Sequence, residues 1–223
     1  MKNYGAIILS CVVLLILPII AGAQDYTRIK GEIRGKADKT PSALMNDPDK
    51  LAKYLTKDLS QDWLKAYSIY YWVATNLDYD LSMARKGGTF TEAKELIDYA
   101  LENEKGVCQH YAELFNYLAK QSGLESLVIT GYTRQNNNIN DIPHAWNAIR
   151  INEQWYLFDP TWGSGYIRNG RVYDEYTEKW FMKMPSDMIR SHMPFDPLFQ
   201  FLNSPLSHYD FYEGRKNGYS VKY

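Results

Sequence analysis

Three side chains in this sequence are of the types that thiol chemistry needs: a cysteine, a histidine and a carboxylate. Cys108 stands just after Gly106, at the head of a run in which Tyr111, Leu114, Phe115, Leu118 and Ala119 recur at helical spacing. Gly123 supplies a C-terminal stop, so the spacing predicts a helix from about Val107 to Ser122 with Cys108 in its first turn. Unpaired backbone N–H groups and the positive end of the helix dipole favour thiolate there. Gly106 has no side chain, which lets another group approach closely. The competing reading makes Cys108 a small buried hydrophobe, as most free cysteines are.

A thiolate nucleophile needs a base, and the base needs an orienting partner. The chain has four histidines. His110 lies two residues from Cys108 and points away around the helix, while His192 and His208 fall in the tail. His144 opens a strand. If Asn152-Glu153 is a two-residue hairpin turn, Ile151 faces Gln154, Trp146 faces Asp159, and Thr161 faces His144. Asp159 is then the diagonal neighbour of His144 on one sheet face. A slip of one residue would send it to the other face. Taken singly, His144 also reads as a half-exposed residue beside a loop, and Asp159 as a turn residue before Pro160. The strand pair must then pack on the start of the Cys108 helix, which the sequence permits without requiring.

The elements that must position these groups run from helices to strands. Residues 24–46 read as a loose N-terminal segment with at most a short strand. Asp47-Pro48 opens a helix, Asp as N-cap and Pro at the first helical position. A second helix opens near Ser60-Gln-Asp62, carries Ala66, Ile69, Tyr70, Val73 and Leu77 on one face with Trp72 alongside, and ends over Asn76 to Asp80. Met83 to Thr91, with Gly87-Gly88, reads as a loop before a third helix from Glu92 to Asn103. After Gly123 the pattern turns β-branched and aromatic: a strand from Leu124 to Thr133, a polar loop over Gln135 to Asp141, then strands His144 to Ile151 and Gln154 to Phe158. Tyr166 to Glu178 reads as loop, Trp180 to Met184 as a strand, and Pro185-Ser-Asp187 as a short helix start. Helices followed by an antiparallel meander predict an α+β fold with the Cys helix packed on an antiparallel β-sheet. The expected organisation is a domain over residues 47–201 and a Pro- and Tyr-rich tail over 202–223.

The first 23 residues have the pattern of a signal peptide. Lys2 gives a positive start, Ile7 to Ile20 is almost unbroken apolar sequence, and Ala21-Gly-Ala23 is a cleavage pattern that leaves Gln24 as the mature N-terminus. An uncleaved anchor over Ala6 to Ala23 is the alternative. A secreted or periplasmic protein is expected, with no membrane span after cleavage. Of two cysteines, Cys11 belongs to the leader, so Cys108 has no partner. In an oxidising compartment a lone cysteine is either inert or kept for its chemistry. A net charge of −1 shows no basic bias towards nucleic acid. The chain is rich in aromatics, with 19 Tyr and 6 Trp, which suits a polymer-binding surface and an aromatic core alike.

Gly106-Val-Cys-Gln-His-Tyr-Ala112, His144-Ala-Trp-Asn147 and Trp155-Tyr-Leu-Phe-Asp-Pro-Thr-Trp162 resemble, in order, the three core motifs of the transglutaminase-like superfamily. The segment Tyr70 to Asp80 is similar to the one that precedes them in that family. Trp180-Phe-Met-Lys-Met-Pro185 and His192-Met-Pro-Phe-Asp-Pro197 resemble its kyphoscoliosis-peptidase-type branch. The resemblance covers about Asp47 to Phe201. It implies a papain-like core with Cys108 as nucleophile, His144 as base and acid, and Asp159 as the residue that orients the imidazole. The implied chemistry is acyl transfer from a peptide or isopeptide amide through a thioester, on a protein or peptide partner, cell-wall peptide included. Hydrolysis is favoured over amine acceptance, since no acidic cluster resembles a calcium site. A crosslinking transglutaminase and a non-catalytic envelope-binding module are the rivals. No cofactor or metal is implied, and no His/Cys/Asp spacing resembles a metal site. Gln109 stands where related sequences often carry an acid. The Cys108 N–H is one oxyanion donor candidate; Trp72 and Gln109 are candidates for the second, although core packing and a solvated helix turn explain them as well.

Overall fold

The structure, a computed structural model, describes residues 25–86, 92–135 and 138–213. The leader and the Gly87-Gly88 pair lie outside the described residues. Contacts divide the chain into two units, Met1–Lys39 and Thr40–Tyr223. In the first, residues 25–37 form a helix, α1, where a loose segment was expected. Arg28 pairs with Glu32 at 2.7 Å and Asp25 at 3.5 Å. Charges at i,i+3 and i,i+4 spacing support a helix that Gly31 and Gly35 disguise in the sequence.

The helical half of the second unit follows a 3₁₀ turn at Ser42–Asn46. Helix α2 (Pro48–Thr56) is capped as expected, with the Asp47 carboxylate accepting from Lys50 N at 3.0 Å. Helix α3 (Asp62–Asn76) is buried around much of its circumference, and Tyr67, Ile69, Tyr70, Trp72 and Val73 are all inaccessible. Strand β1 (Asp78–Tyr79) leads into α4 (Leu81–Lys86), so Met83 to Lys86 is helix rather than loop. Asp80 starts that helix by accepting from Met83 N at 2.9 Å. Helix α5 (Ala93–Asn103) ends at Glu104, which has left-handed φ of 51°. Strand β2 (Lys105–Gly106) then pairs in parallel with β1. Helix α6 (Cys108–Gln121) follows and ends before Gly123, whose φ of +82° is the left-handed stop expected of that residue. Helices α2, α3 and α5 pack against α6.

The strand half begins with β3 (Glu125–Gln135), β4 (Asn138–Ile151) and β5 (Gln154–Phe158). Helix α7 (Pro160–Ser164), a hairpin of β6 (Gly165–Arg168) and β7 (Arg171–Asp174), helix α8 (Pro185–Met188) and strand β8 (His192–Pro194) follow. The main sheet is antiparallel, in the order β5-β4-β3-β8. Helix α9 (His208–Glu213) buries Phe211 under the guanidinium of Arg134, 4.3 Å from its ring centroid. Helices first and a meander afterwards make the fold α+β.

The β4–β5 register runs from Ile151↔Gln154 to Asn147↔Phe158, as the hairpin arithmetic requires. Pairing stops there: Thr161 is helical and not opposite His144, because Pro160 sits at the first helical position and Asp159 caps α7. Where a loop was expected over Gln135 to Asp141, Gln135 and residues 138–141 are strand. Thr133↔Asn140, Arg134↔Ile139 and Gln135↔Asn138 extend the hairpin beyond a register shift after Gly131. Its paired residues are polar but for Ile139, and Gln135, Asn138 and Asn140 are exposed, so it carries no apolar alternation for a sequence pattern to show. Tyr166 to Glu178 contains the β6–β7 hairpin, turned by Asn169 and Gly170 with φ of 53° and 70°. Trp180 to Met184 is not a strand; a 3₁₀ turn at Glu178–Trp180 precedes a single bridge between Leu157 and Lys183.

Alternation on β4 assigns the two sheet faces. Trp146 and Ala148 point into a core with Ile129, Leu157 and Met188, walled by Trp155, Trp180, Phe199 and Phe201. On the other face Asn147, fully buried, donates from Nδ2 to Ala112 O on α6 at 2.9 Å. That bond fastens the Cys108 helix to the strand that carries His144.

Candidate active site

Cys108 is the first residue of α6, a free thiol of intermediate exposure. Its placement begins one turn earlier, where the β1–β2 ladder leads the chain past Tyr79 to Gly106. A β-carbon at Gly106 would lie 2.5 Å from the His110 β-carbon, so the missing side chain makes room for this helix's own imidazole. His110 Nδ1 accepts from Val107 N at 3.2 Å and closes the helix start. Burial pushes the His110 pKa down to about 4, so the ring is a neutral acceptor.

His144 lies on β4 opposite Gly131, 9% exposed. Asp159 follows the last residue of β5 and has no exposed surface. As the cap of α7 it accepts on Oδ1 from Trp162 N at 2.9 Å. This fixes the plane of the carboxylate and turns Oδ2 to His144, whose Nε2–H donates to it at 2.7 Å. With Nε2 so engaged, Nδ1 is the nitrogen left for Cys108, and the thiol–imidazole hydrogen bond is among the causes that set both groups' proton affinity. The three residues expected to act together are brought together.

The electrostatics favour an ion pair. Burial pushes the Cys108 thiol up, but the hydrogen bond and positive charge of His144, with a backbone hydrogen bond from Ala145, outweigh it and hold the pKa below the usual value. Burial opposes charge on His144 too, yet the Asp159 carboxylate and the thiolate push its pKa up to about 10. Asp159 pays a similar burial penalty, and the two imidazoles beside it hold its carboxyl well below the ordinary carboxylate range.

The second of those imidazoles escaped the sequence reading. His192, on β8 and 1% exposed, directs Nε2 to Asp159 Oδ2 at 3.0 Å. Its Nδ1 meets Ser191 Oγ at 2.8 Å. A three-residue edge strand has no periodicity, and the one signal at this position was the resemblance of His192-Met-Pro-Phe-Asp-Pro197 to the kyphoscoliosis-peptidase-type branch, which gave the histidine no role. The approach depends on Gly131, where a β-carbon would lie 2.7 Å from Pro194 Cα and closer still to Met193 O. One donor atom from each of His144, Asp159 and His192 lies within 4.8 Å of the others. Both imidazoles already spend their Nε2–H on the carboxylate, and a cation among them would have to displace both hydrogen bonds.

A cleft of about 610 Å³ opens on the imidazole side of the pair. His144, Thr161, Trp162 and Trp180 form part of its wall, and Tyr166 and Ile167 of the β6–β7 hairpin form another. Cys108 is not among its lining residues. Neither is Trp72, which is fully buried in α3 with Nε1 unpartnered among the described residues, nor Gln109, which is half-buried.

The chain belongs to the transglutaminase-like superfamily, whose family model matches residues 49–160. That span includes Cys108, His144 and Asp159 but stops short of His192. Human kyphoscoliosis peptidase is 27% identical over 167 residues, which are 71% of this chain and 25% of that protein. Hillarin of Drosophila melanogaster is 23% identical over 209 residues, 82% of this chain and 23% of that protein. The chain thus spans about a quarter of the length of the curated relatives it matches. Among solved structures, the periplasmic domain of TgpA from Pseudomonas aeruginosa superimposes with a TM-score of 0.43 at 21% identity, covering 59% of this chain and 48% of that one.

Proposed function

We propose that the chain is an exported thiol acyl-transfer enzyme that cleaves peptide or isopeptide amides through a Cys108 thioester, with water as the usual acceptor. The observation that carries this reading is one imidazole hydrogen-bonded through Nε2 to a buried carboxylate and facing the only described thiol with its other nitrogen. Cys108 thiolate attacks the amide carbonyl and the carbon–oxygen π pair moves onto oxygen, for which the Cys108 N–H in the first turn of α6 is the candidate donor. The oxyanion collapses, the carbon–nitrogen bond breaks, and His144 Nδ1 gives its proton to the departing amine. Neutral His144 then takes a proton from water as the water attacks the thioester. The acid leaves and the thiolate–imidazolium pair returns. Asp159 stays anionic throughout.

The same thioester accepts an amine in place of water, so the test offers both. The protein is incubated with a glutamine-containing donor protein and a fluorescent primary amine. Release of free amine or peptide without label supports hydrolysis, and incorporated label moves the assignment to crosslinking. A protein that shows neither reaction, and whose Cys108→Ala variant keeps the parental ligand binding and cellular phenotype, would be a binding module instead. Export belongs to the same proposal and predicts a mature protein that begins at Gln24 by mass spectrometry of the secreted or periplasmic fraction.

A further inference from the structure

The carboxylate that orients His144 has two imidazole partners, and the acyl-transfer reading uses only one. Asp159 Oδ2 lies 2.7 Å from His144 Nε2 and 3.0 Å from His192 Nε2, and the oxygen, the carboxylate's second arm and the His192 ring are all buried. A carboxylate can only accept, so each ring must present an N–H to it. For His192 this leaves Nδ1 bare, and the bare nitrogen sits 2.8 Å from the Ser191 hydroxyl, which can donate to it. Ser191 Oγ also lies 3.3 Å from Met188 O at the end of α8, the longer of its two contacts, and with the single hydroxyl proton given to Nδ1 that carbonyl is a neighbour rather than a partner. The chain of bonds runs from Ser191 through His192 to Asp159, and on to His144 and Cys108.

We infer that His192 is a positioning residue for the thiolate–imidazolium pair: as a neutral Nε2–H donor it holds the Asp159 carboxylate in place and anionic. This inference rests on the acyl-transfer reading of Cys108 and His144. Two features of the site give His192 this role rather than that of a second base. Its Nε2 is spent on the carboxylate and its Nδ1 on Ser191, so neither nitrogen is free for substrate. It is also walled by Trp146, Trp162 and Trp180, with ring centroids at 5.1, 4.6 and 5.3 Å, which leaves it no path to the cleft. Burial lowers the proton affinity of His192 and the nearby His144 cation adds to that, against the pull of the Asp159 carboxylate. The other titratable groups that face the carboxylate and the thiol are Tyr70 and Tyr79. Burial first, and the Asp159 charge after it, raise Tyr70 well above the usual phenol, and burial with the Cys108 and Asp159 charges pushes Tyr79 up to about 12. Neither phenol titrates between pH 5 and 8, so a change of reactivity in that range reports the Cys108, His144 and His192 cluster.

The test reads the thiol directly and needs no natural substrate. Alkylation of Cys108 by iodoacetamide is followed from pH 5 to 8 in the full chain and in His192→Leu, His192→Gln and Ser191→Ala. His192→Leu removes the donor and keeps the bulk, and is expected to react about tenfold more slowly at pH 6, with the acid limb of the profile displaced upward. His192→Gln restores an N–H near the Nε2 position and is expected to stay within about threefold of the parent. Ser191→Ala leaves the ring's Nδ1 without its hydroxyl donor and loosens the ring, and is expected to fall between them. Should His192→Leu fail to fold, Ser191→Ala and the ring ¹⁵N spectrum of the unaltered protein decide the matter. The spectrum is expected to show His192 protonated on Nε2 alone. A folded His192→Leu or Ser191→Ala with the parental profile, or a His192 carrying its proton on Nδ1, overturns the inference. A parent protein whose Cys108 reacts only after denaturation overturns instead the acyl-transfer reading beneath it.

Discussion

Asp159 does three jobs with two oxygens. Oδ1 caps α7, and Oδ2 receives two imidazoles. Replacing it by Asn keeps the size and a carbonyl acceptor but removes the charge that opposes burial of the His144 cation. Asp159→Asn is therefore expected to lower kcat by about 100-fold or more in an amide-cleavage assay while leaving KM within a few-fold. An unchanged kcat would remove the carboxylate from the mechanism. Asp159 could be found in advance because a two-residue turn fixes strand register, and register fixes which side chains share a face. His192 could not. It lies 33 residues further along, on a strand too short for alternation, and its pairing is with β3 rather than with a chain neighbour. The close approach that Gly106 permits is made by His110, a group the sequence left unspecified.

At the scale of elements, Gly131 decides how close β8 comes to β3. A methyl group there would meet the main chain of Met193 and Pro194, which has no flexible end to move aside. Gly131→Ala is expected to cost about 1–3 kcal/mol of stability by urea denaturation. By displacing the strand that bears His192, it should also slow alkylation of Cys108 more than the lost stability alone would. Equal alkylation in a destabilised protein would separate β8 from the thiol. The buried Asn147 plays the matching part for α6. Asn147→Leu removes the amide bond to Ala112 O and leaves that carbonyl buried without its side-chain partner, an expected loss of about 1–3 kcal/mol. The helices around α6 were legible because each shows a cap or a 3.6-residue face. The ribbon beyond Gly131 and the β6–β7 hairpin were not, since main-chain ladders form without an apolar face when both sides meet water.

For the whole molecule, the buried imidazoles set an acid limit on stability. His110, with a folded pKa lowered to about 4, and His192, also lowered, stay neutral in the folded chain at pH values where the unfolded chain takes up protons. The melting temperature is thus expected to fall as pH drops from about 6.5 towards 4, and Asp159, with its depressed pKa, extends the loss below that. His144 runs the other way: its raised pKa stabilises fully below about 6.5, and the contribution is lost as pH rises towards about 10. The thiolate of Cys108 offsets part of that loss, so the alkaline slope should be the shallower one. Calorimetry at pH 4, 5, 6.5, 8 and 9 tests the pattern, and a flat profile between 4 and 6.5 would contradict the neutral state of the two rings. The place of β8 at the sheet edge has one more result. A ribosome has made the thiol, the imidazole and the acid long before it reaches position 192, so a nascent or truncated chain holds all three reactive side chains while the clasp on the acid is still missing. On the role inferred for His192, full reactivity is expected of a polypeptide that has been translated past Pro194 and has folded β8 onto β3.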